Sequence, residues 1–219
     1  MPRKKNSAHT NNNQVRILAG QWRGRPVAFP SIDNLRPTGS RIRETLFNWL
    51  QPHIAQATCL DLFSGSGILS FEALSRGAQQ AVAIDHASPV IQQLHQQAAI
   101  FNTKNLYPLQ HSASAFIQKK PTDWQHQYPW IKSEGYSIIF LDPPFQEDVL
   151  TQLSQQLSTH HWLTKNALIY LEKNKHQTFI PPIDWILLKD KIAGTVSYQL
   201  YQTNAEPPPT ATTSASIIA

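Results

Sequence analysis

Cysteine is almost absent from this chain of 219 residues, where Cys59 is the only one. A single thiol cannot form a disulfide within the chain, and Cys59 lies in an apolar run, so we expect it to be buried. The basic N-terminus has no apolar signal region, and no apolar run reaches the roughly eighteen residues of a membrane-spanning helix. The sequence therefore predicts a soluble, cytoplasmic protein with no membrane partner, in which one domain carries small additions.

Metal-ligand spacing is also missing. The chain has nine histidines, but only His160 and His161 are adjacent, and one cysteine cannot complete a ligand set. We therefore expect no structural metal.

Acidic residues are scarce in the first part of the chain, and lysine is absent from residues 14–44. Residues 1–44 hold nine of the nineteen Lys and Arg but only two of the fourteen Asp and Glu, whereas the remainder is close to neutral. This distribution is typical of a nucleic-acid enzyme, and arginine favours planar, bidentate recognition of phosphate. The candidate RNA-binding residues are Arg16, Arg23, Arg25, Arg36, Arg41 and Arg43.

The segment T-C-L-D-L-F-S-G-S-G, from Thr58 to Gly67, combines a short apolar strand with a turn of small residues, and an apolar helical repeat follows. Strand, glycine turn and helix can open a nucleotide-binding crevice, although such a turn can also simply join two elements. A dinucleotide site would need a third glycine, and Ser70 stands there instead. The pattern thus disfavours a nicotinamide or flavin cofactor.

A second apolar run ends in a carboxylate at Asp85, about eighteen residues beyond Gly67. An acid at this place in a strand-turn-helix-strand unit binds ribose hydroxyls. We therefore expect a smaller nucleoside ligand, held by the glycine turn, Asp61 and Asp85.

A third apolar run, Tyr136 to Leu141, leads into Asp142-Pro143-Pro144-Phe145. The two prolines fix two φ angles and remove two donors, which stiffens the loop and leaves its carbonyls free to accept hydrogen bonds. D-P-P-F downstream of D-x-F-x-G-x-G resembles the motif pair of amino-group methyltransferases that use S-adenosyl-L-methionine. The alternative for Asp142 is a carboxylate that only caps a turn.

Four blocks follow one another along the chain: V-R-I-L-A-G-Q-W-R-G-R, L-R-P-T-x-x-R-I-R-E-T-L-F-N-W-L, C-L-D-L-F-S-G-S-G and L-D-P-P-F. In this order they resemble the bacterial RsmD family, and the similarity runs from about Val15 to Tyr201. The resemblance implies methylation of the exocyclic N2 of a guanine in small-subunit (16S) ribosomal RNA, with that RNA or the assembling 30S particle as partner. It also implies an α/β, Rossmann-like class I methyltransferase fold with a seven-stranded, mostly parallel sheet and a small N-terminal hairpin and helix.

The resemblance assigns roles to individual positions. Asp142 and the carbonyl of Pro143 would accept hydrogen bonds from the guanine amino group, and Phe145 would stack on the base. Ser112 and backbone groups would contact the adenine ring, where relatives often carry Asp or Asn. The cofactor-binding residues would be Asp61, Phe63, Ser64, Gly65, Gly67, Asp85, Ser112 and Ala113.

The chain divides into a disordered basic tail (1–13), an RNA-docking hairpin and helix (14–50), a methyltransferase domain (51–203) and a disordered tail (204–219). We predict hairpin strands at Val15 to Gly20 and Arg25 to Phe29, a helix capped by Ser40, and a monomer. The helix could also be an ordinary amphipathic helix that packs on the sheet.

Two rival functions and one unassigned segment remain open. D-P-P-F also occurs in adenine-N6 methyltransferases of DNA, and a non-catalytic RNA-binding factor could keep the same fold. The segment from Lys119 to Gly135 carries Trp124, Tyr128 and Trp130. These rings could stack on RNA or form their own apolar cluster on the surface.

Overall fold

The computed structural model describes residues 13–32, 37–144 and 149–204. The strands are β1 Asn13–Arg16, β2 Pro26–Phe29, β3 Thr58–Asp61, β4 Gln80–Asp85, β5 Leu106–Gln110, β6 Tyr136–Leu141, β7 Leu163–Asn174, β8 Trp185–Ala193 and β9 Val196–Thr203. The helices are α1 Ser40–Leu50, α2 Ile68–Ser75, α3 Ser88–Ile100, α4 Ala113–Ile117, α5 Pro121–Trp124 and α6 Leu150–Thr159. Both predicted tails lie almost wholly outside the described residues, and the domain division stays a prediction.

A seven-stranded sheet in the order β5-β4-β3-β6-β7-β9-β8 organises the molecule. β3 to β7 pair in parallel, and β9 pairs antiparallel with β7 on one side and β8 on the other. The last strand is thus inserted antiparallel, and the predicted Rossmann-like fold is confirmed. Within the described residues, no helix is long and apolar enough to cross a bilayer.

The central strands are apolar because both faces of the sheet are covered. Cys59 and Phe140 point into one core, which α1, α2 and α3 complete. Their chain neighbours Leu60 and Ile139 point to the other face of the sheet, into a second core with α4 and α6. Near-continuous apolar strands are what a parallel sheet buried on both faces requires. Cys59 is buried, as predicted.

The N-terminal hairpin is shorter than predicted, since β1 ends at Arg16 rather than Gly20. The backbone N–H groups of Leu18 and Ala19 leave the hairpin and donate to the carboxylate of Glu72, over 2.8 and 3.0 Å. Trp22 is buried beyond them and stacks on Phe101 with ring centroids 4.8 Å apart. Ile17 still pairs across the hairpin with Gly24 and Arg25, and the residues after it fasten the segment to α2 and to the end of α3.

Helix α1 packs on the sheet through Leu46, Phe47 and Leu50. The predicted cap at Ser40 is wrong, because Ser40 is already the first helical residue and Gly39 occupies the cap position without a side-chain bond. Trp49 is half-buried and stacks on Tyr198 of β9 at 5.5 Å. The end of α1 is thus tied to the last strand of the sheet.

The aromatic segment between β5 and β6 packs on itself. Trp130 stacks on Tyr107 at 4.3 Å and lies 5.4 Å from the ring of Tyr128. Trp124 is buried, and its indole N–H donates to the carbonyl of Phe116 over 3.0 Å. These contacts favour the apolar-cluster interpretation over stacking on RNA.

Candidate active site

The expected site residues meet in one cavity of about 910 Å³ at the carboxyl ends of β3, β4 and β6. Parallel strands end at the same edge of a sheet, so turns that are far apart in sequence converge there. The predicted residues that line the cavity are Asp61, Phe63, Ser64, Gly65, Asp85, Ser112, Ala113, Asp142 and Pro143. Phe145 lies outside the described residues.

The glycine turn is held by its own backbone and by β4. The amide and hydroxyl of Ser64 both donate to the carbonyl of Ile84, over 2.9 and 3.0 Å. Gly65 adopts φ +46° and Gly67 adopts φ +74°, conformations that favour glycine. The turn therefore presents bare backbone to the cavity before α2 begins.

Gly67 is also required for packing. A Cβ there would lie 2.2 Å from Cδ2 of Leu94 in α3. Gly67 thus lets α3 pack behind the turn, and its predicted contact with the cofactor stays a prediction.

Asp85 couples the glycine turn to the start of α3. Its Oδ2 accepts from the amide of Gly65 over 3.0 Å, and its Oδ1 accepts from the amide of Ala87 over 2.9 Å. The side chain is 12% exposed. A carboxylate has about four lone-pair sites, so Asp85 keeps acceptor capacity for a ligand hydroxyl after both backbone bonds.

Asp61 is buried at the end of β3, and its Oδ2 accepts from the hydroxyl of Ser70 over 2.8 Å. Burial raises the pKa of Asp61 to about 7; the bond from Ser70 opposes the shift, and the charge of Asp142 adds to it. Ser70, which replaces the third glycine of a dinucleotide motif, thus serves as the partner of Asp61.

The turn between β5 and α4 contributes Ser112 and its neighbours to the cavity. Ser112 caps α4, since its hydroxyl accepts from the amide of Ala115 over 3.3 Å. His111 also lines the cavity, and its amide donates to the carbonyl of Asp85. Burial, with a contribution from Lys119, lowers the pKa of His111 and favours its neutral ring.

Asp142 follows β6 and is half-buried between the cavity and the N-terminal segment. Its Oδ2 accepts from the hydroxyl of Thr38 over 3.1 Å. Burial raises the pKa of Asp142 to about 6, although the bond from Thr38 opposes the shift. Asp142 therefore carries a negative charge only at a cost, because it lies in a poorly solvated place.

Glu172, at the carboxyl end of β7, lines the same cavity and had no role in the sequence analysis. It is 3% exposed, and its Oε1 accepts from the hydroxyl of Tyr170 over 2.7 Å. Burial and then the charge of Asp142 raise its pKa to about 8. The available signal was a carboxylate at the end of an otherwise apolar strand run, at the edge where the site lies.

The prediction that Arg43 belongs to an RNA-docking surface is wrong, because Arg43 is 1% exposed. Its guanidinium donates to the carbonyls of Thr38 and Arg16, each over 3.1 Å, and lies 3.4 Å from the carboxylate of Glu72. Burial lowers its pKa, against the attraction of Glu72. Arg43 is thus an internal tie between α1, the hairpin and α2.

The remaining arginines differ in their solvent exposure and in their contacts with the rest of the chain. Arg23 and Arg41 are exposed, and Arg16 is exposed while donating to the carbonyl of Gly24. Arg25 is half-buried, donates to the carbonyl of Ile100 and lies over the ring of Phe101 at 4.3 Å. Arg36 lies outside the described residues.

Metal ligands do not cluster in the part of the chain that the structure describes, where no group of three or more His, Cys, Asp or Glu could hold an ion.

Known proteins are similar to this chain in sequence over most of its length. A family profile described as Conserved hypothetical protein 95 matches residues 15–202. Ribosomal RNA small subunit methyltransferase D of Haemophilus influenzae is 42% identical over 191 residues, which make up 86% of this chain and 94% of that protein. The protein of the same name from Escherichia coli K12 is 40% identical over 200 residues, 90% of this chain and 94% of that protein. This chain belongs to the RsmD family.

Solved structures place the RsmD-family fold among methyltransferases. A putative methyltransferase from Escherichia coli matches with a TM-score of 0.77 at 40% identity, over 89% of this chain and 100% of that one. An RNA methyltransferase from Salinibacter ruber, in complex with S-adenosyl-L-homocysteine, matches with a TM-score of 0.57 at 11% identity, over 80% of this chain and 97% of that one. The second likeness shows a shared fold alone.

Proposed function

We propose that this RsmD-family chain transfers a methyl group from S-adenosyl-L-methionine to the exocyclic N2 of a guanine in small-subunit ribosomal RNA. The observation that carries the proposal is the opening of Asp85, the glycine turn and Asp142 onto one cavity. The names of the curated relatives support ribosomal RNA as the substrate. The choice of guanine N2 rests on the family resemblance of the block that contains Thr38 and α1.

The cofactor half of the cavity suits a nucleoside with a short charged tail. Asp85 keeps free acceptor sites for ribose hydroxyls, and the glycine turn and the first residues of α2 line the part of the cavity where the charged tail would lie. Ser112 and Ala113 line the place expected for the adenine ring. S-adenosyl-L-methionine would supply the methyl group on its sulfonium, and these residues would hold it in line with the amine.

The chemical half uses Asp142 and Pro143. A guanine amino nitrogen is a poor nucleophile because its lone pair is delocalised into the ring, so acceptors must draw on its N–H bonds as it becomes tetrahedral. The hydroxyl of Thr38 holds Asp142 in place as the first acceptor, and Pro143 stiffens the backbone whose carbonyl is the second acceptor. Stacking of the base on Phe145 stays a prediction.

The RNA half of the proposal uses the exposed arginines of the N-terminal hairpin and of α1. Arg16, Arg23 and Arg41 remain candidates for phosphate contacts, Arg25 can contribute its exposed part, and Arg36 stays a prediction. Arg43 is excluded by its burial. The target base must be unpaired or turned out of its helix to enter the cavity.

The test is methyl transfer from labelled S-adenosyl-L-methionine to total RNA from a strain lacking the gene, followed by mapping and mass analysis of the product nucleoside. N2-methylguanine in 16S RNA is the expected product. N6-methyladenine would favour the rival adenine enzyme, and RNA binding without transfer would favour a non-catalytic factor. Either result would overturn the proposal.

A further inference from the structure

Two carboxyl groups, one buried and one half-buried, face the cavity at the methyl-transfer end. Asp142 follows β6 and Glu172 ends β7, and these strands are hydrogen-bonded neighbours in the sheet. Thr38 stands between the two groups: its hydroxyl donates to Asp142 over 3.1 Å and is also within hydrogen-bonding contact of Glu172. A hydroxyl has one hydrogen, so Thr38 can donate to only one carboxylate at a time.

The surroundings do not neutralise a second negative charge. Asp61 of β3 lies on one side of Asp142, and the groups around Glu172 are Tyr170 of β7, Tyr198 of β9 and Thr38. Among residues 13–32, 37–144 and 149–204, no cation forms an ion pair with Asp142 or Glu172. Two carboxylates this close in a buried site cannot both ionise at low cost, so the pair holds one proton.

The geometry decides which residue holds that proton. Glu172 is nearly fully buried, whereas Asp142 is half-buried and receives the hydrogen of Thr38 at its Oδ2. We propose that Glu172 is a positioning residue for methyl transfer: it stays protonated at neutral pH, so that Asp142 is the ionised acceptor and the Thr38 hydroxyl points to Asp142. The effect on methyl transfer rests on the proposed function, whereas the protonation of Glu172 does not.

The directions of the pKa shifts agree with this assignment. Burial raises the pKa of both groups, to about 8 for Glu172 and to about 6 for Asp142, and the values belong to the coupled pair. Below about 6, Asp142 gains a proton and loses its acceptor role. Above about 8, Glu172 ionises, the two charges repel and Thr38 has two competing acceptors, so the position of Asp142 is lost.

The first experiment reads the proton directly and needs no activity. Carbon-13 NMR of glutamate carboxyl carbons would be recorded across the pH range in the intact chain and in Glu172→Gln. One resonance is expected to titrate near pH 8 and to be missing from the variant. A Glu172 resonance that titrates near its ordinary value of 4.5 would overturn the inference.

The second experiment measures the pH profile of kcat. A bell-shaped profile is expected for the intact chain, and Glu172→Gln, a permanently neutral analogue, should keep the acid limb and lose the alkaline limb. Glu134→Gln, at an exposed position in the loop before β6, is the matched control and should leave both limbs in place. An alkaline limb that persists in Glu172→Gln, or an equal loss of kcat at every pH, would contradict the inference.

A second variant keeps the test decisive if Glu172→Gln does not fold. Tyr170→Phe removes the hydroxyl that stabilises ionised Glu172, so the alkaline limb and the NMR titration should both move to higher pH. No movement of either would count against the assignment. Absence of any methyl transfer in the intact chain would refute the proposed function alone, because the NMR result stands independently.

Discussion

The hydroxyl of Thr38 donates to Oδ2 of Asp142 over 3.1 Å and so joins the N-terminal segment to the strand end where the chemistry would occur. The backbone of Thr38 is fixed by Arg43, whose Nε donates to the carbonyl of Thr38 over 3.1 Å. Arg43 in turn contacts Glu72 of α2. The N-terminal addition is therefore part of the active-site structure as well as a candidate RNA contact.

Replacing Thr38 by Val should lower kcat by about tenfold or more, because Asp142 would lose its only described hydroxyl donor and its fixed orientation. The Kd for S-adenosyl-L-methionine should not change, since the ribose and tail contacts lie elsewhere in the cavity. Thr38→Ser restores the hydroxyl and should recover most of the rate. Equal rates for the Val and Ser variants would show that the hydrogen bond has no catalytic effect.

Glu72→Gln should lower the free energy of unfolding by about 3–5 kcal/mol, the usual result of leaving a buried charge without its partner. Glu72 is fully buried and accepts from Arg43, Arg76 and the amides of Leu18 and Ala19, so a neutral amide leaves the Arg43 charge uncompensated. Urea denaturation would measure the change, with Glu134→Gln as the exposed control. A loss as small as that of the control would mean that Glu72 does not fasten the N-terminal segment.

Without cofactor, the raised pKa of Glu172 should make the free energy of unfolding fall as the pH rises. Its folded-state pKa of about 8 lies above its ordinary 4.5, so the folded state binds more protons than the unfolded chain between these values. The stability that protonated Glu172 contributes to the folded state is fully present below pH 4.5 and is lost as the pH rises to about 8. Glu172→Gln should therefore gain stability over the intact chain between pH 4.5 and 8, on the order of a few kcal/mol. A difference that does not vary with pH would contradict this.

The exposed arginines of the N-terminal segment should make RNA affinity depend on salt concentration. If Arg23 and Arg41 contact phosphates, replacing both by Gln should weaken RNA binding and flatten the slope of log affinity against log salt by about one to two units. Lys165, exposed near the amino end of β7 and so at the end of that strand away from the cavity, provides a control of equal charge change per site. Equal slopes for the Arg23/Arg41 and Lys165 variants would remove these arginines from the docking surface.

Local patterns were sufficient for much of the fold and site. Apolar strand runs followed by turns predicted the sheet and the convergence of Asp85 and Asp142, because strand period and turn residues are properties of neighbouring positions. Arg41 and Arg43 look alike in sequence, yet one is exposed and the other buried, and only the distant Glu72 decides between them. Thr38 and Glu172 were missed as site residues for the same reason: each contacts Asp142 only after the chain has folded.

The most direct measurement of the central claim is single-turnover methyl transfer by Asp142→Ala on 16S RNA saturated with enzyme and cofactor. The account predicts a rate roughly 10²–10³ lower than that of the intact chain, with unchanged Kd for cofactor and RNA, because the acceptor acts mainly as the amine becomes tetrahedral. A rate close to that of the intact chain, or a loss explained by weaker binding alone, would contradict it.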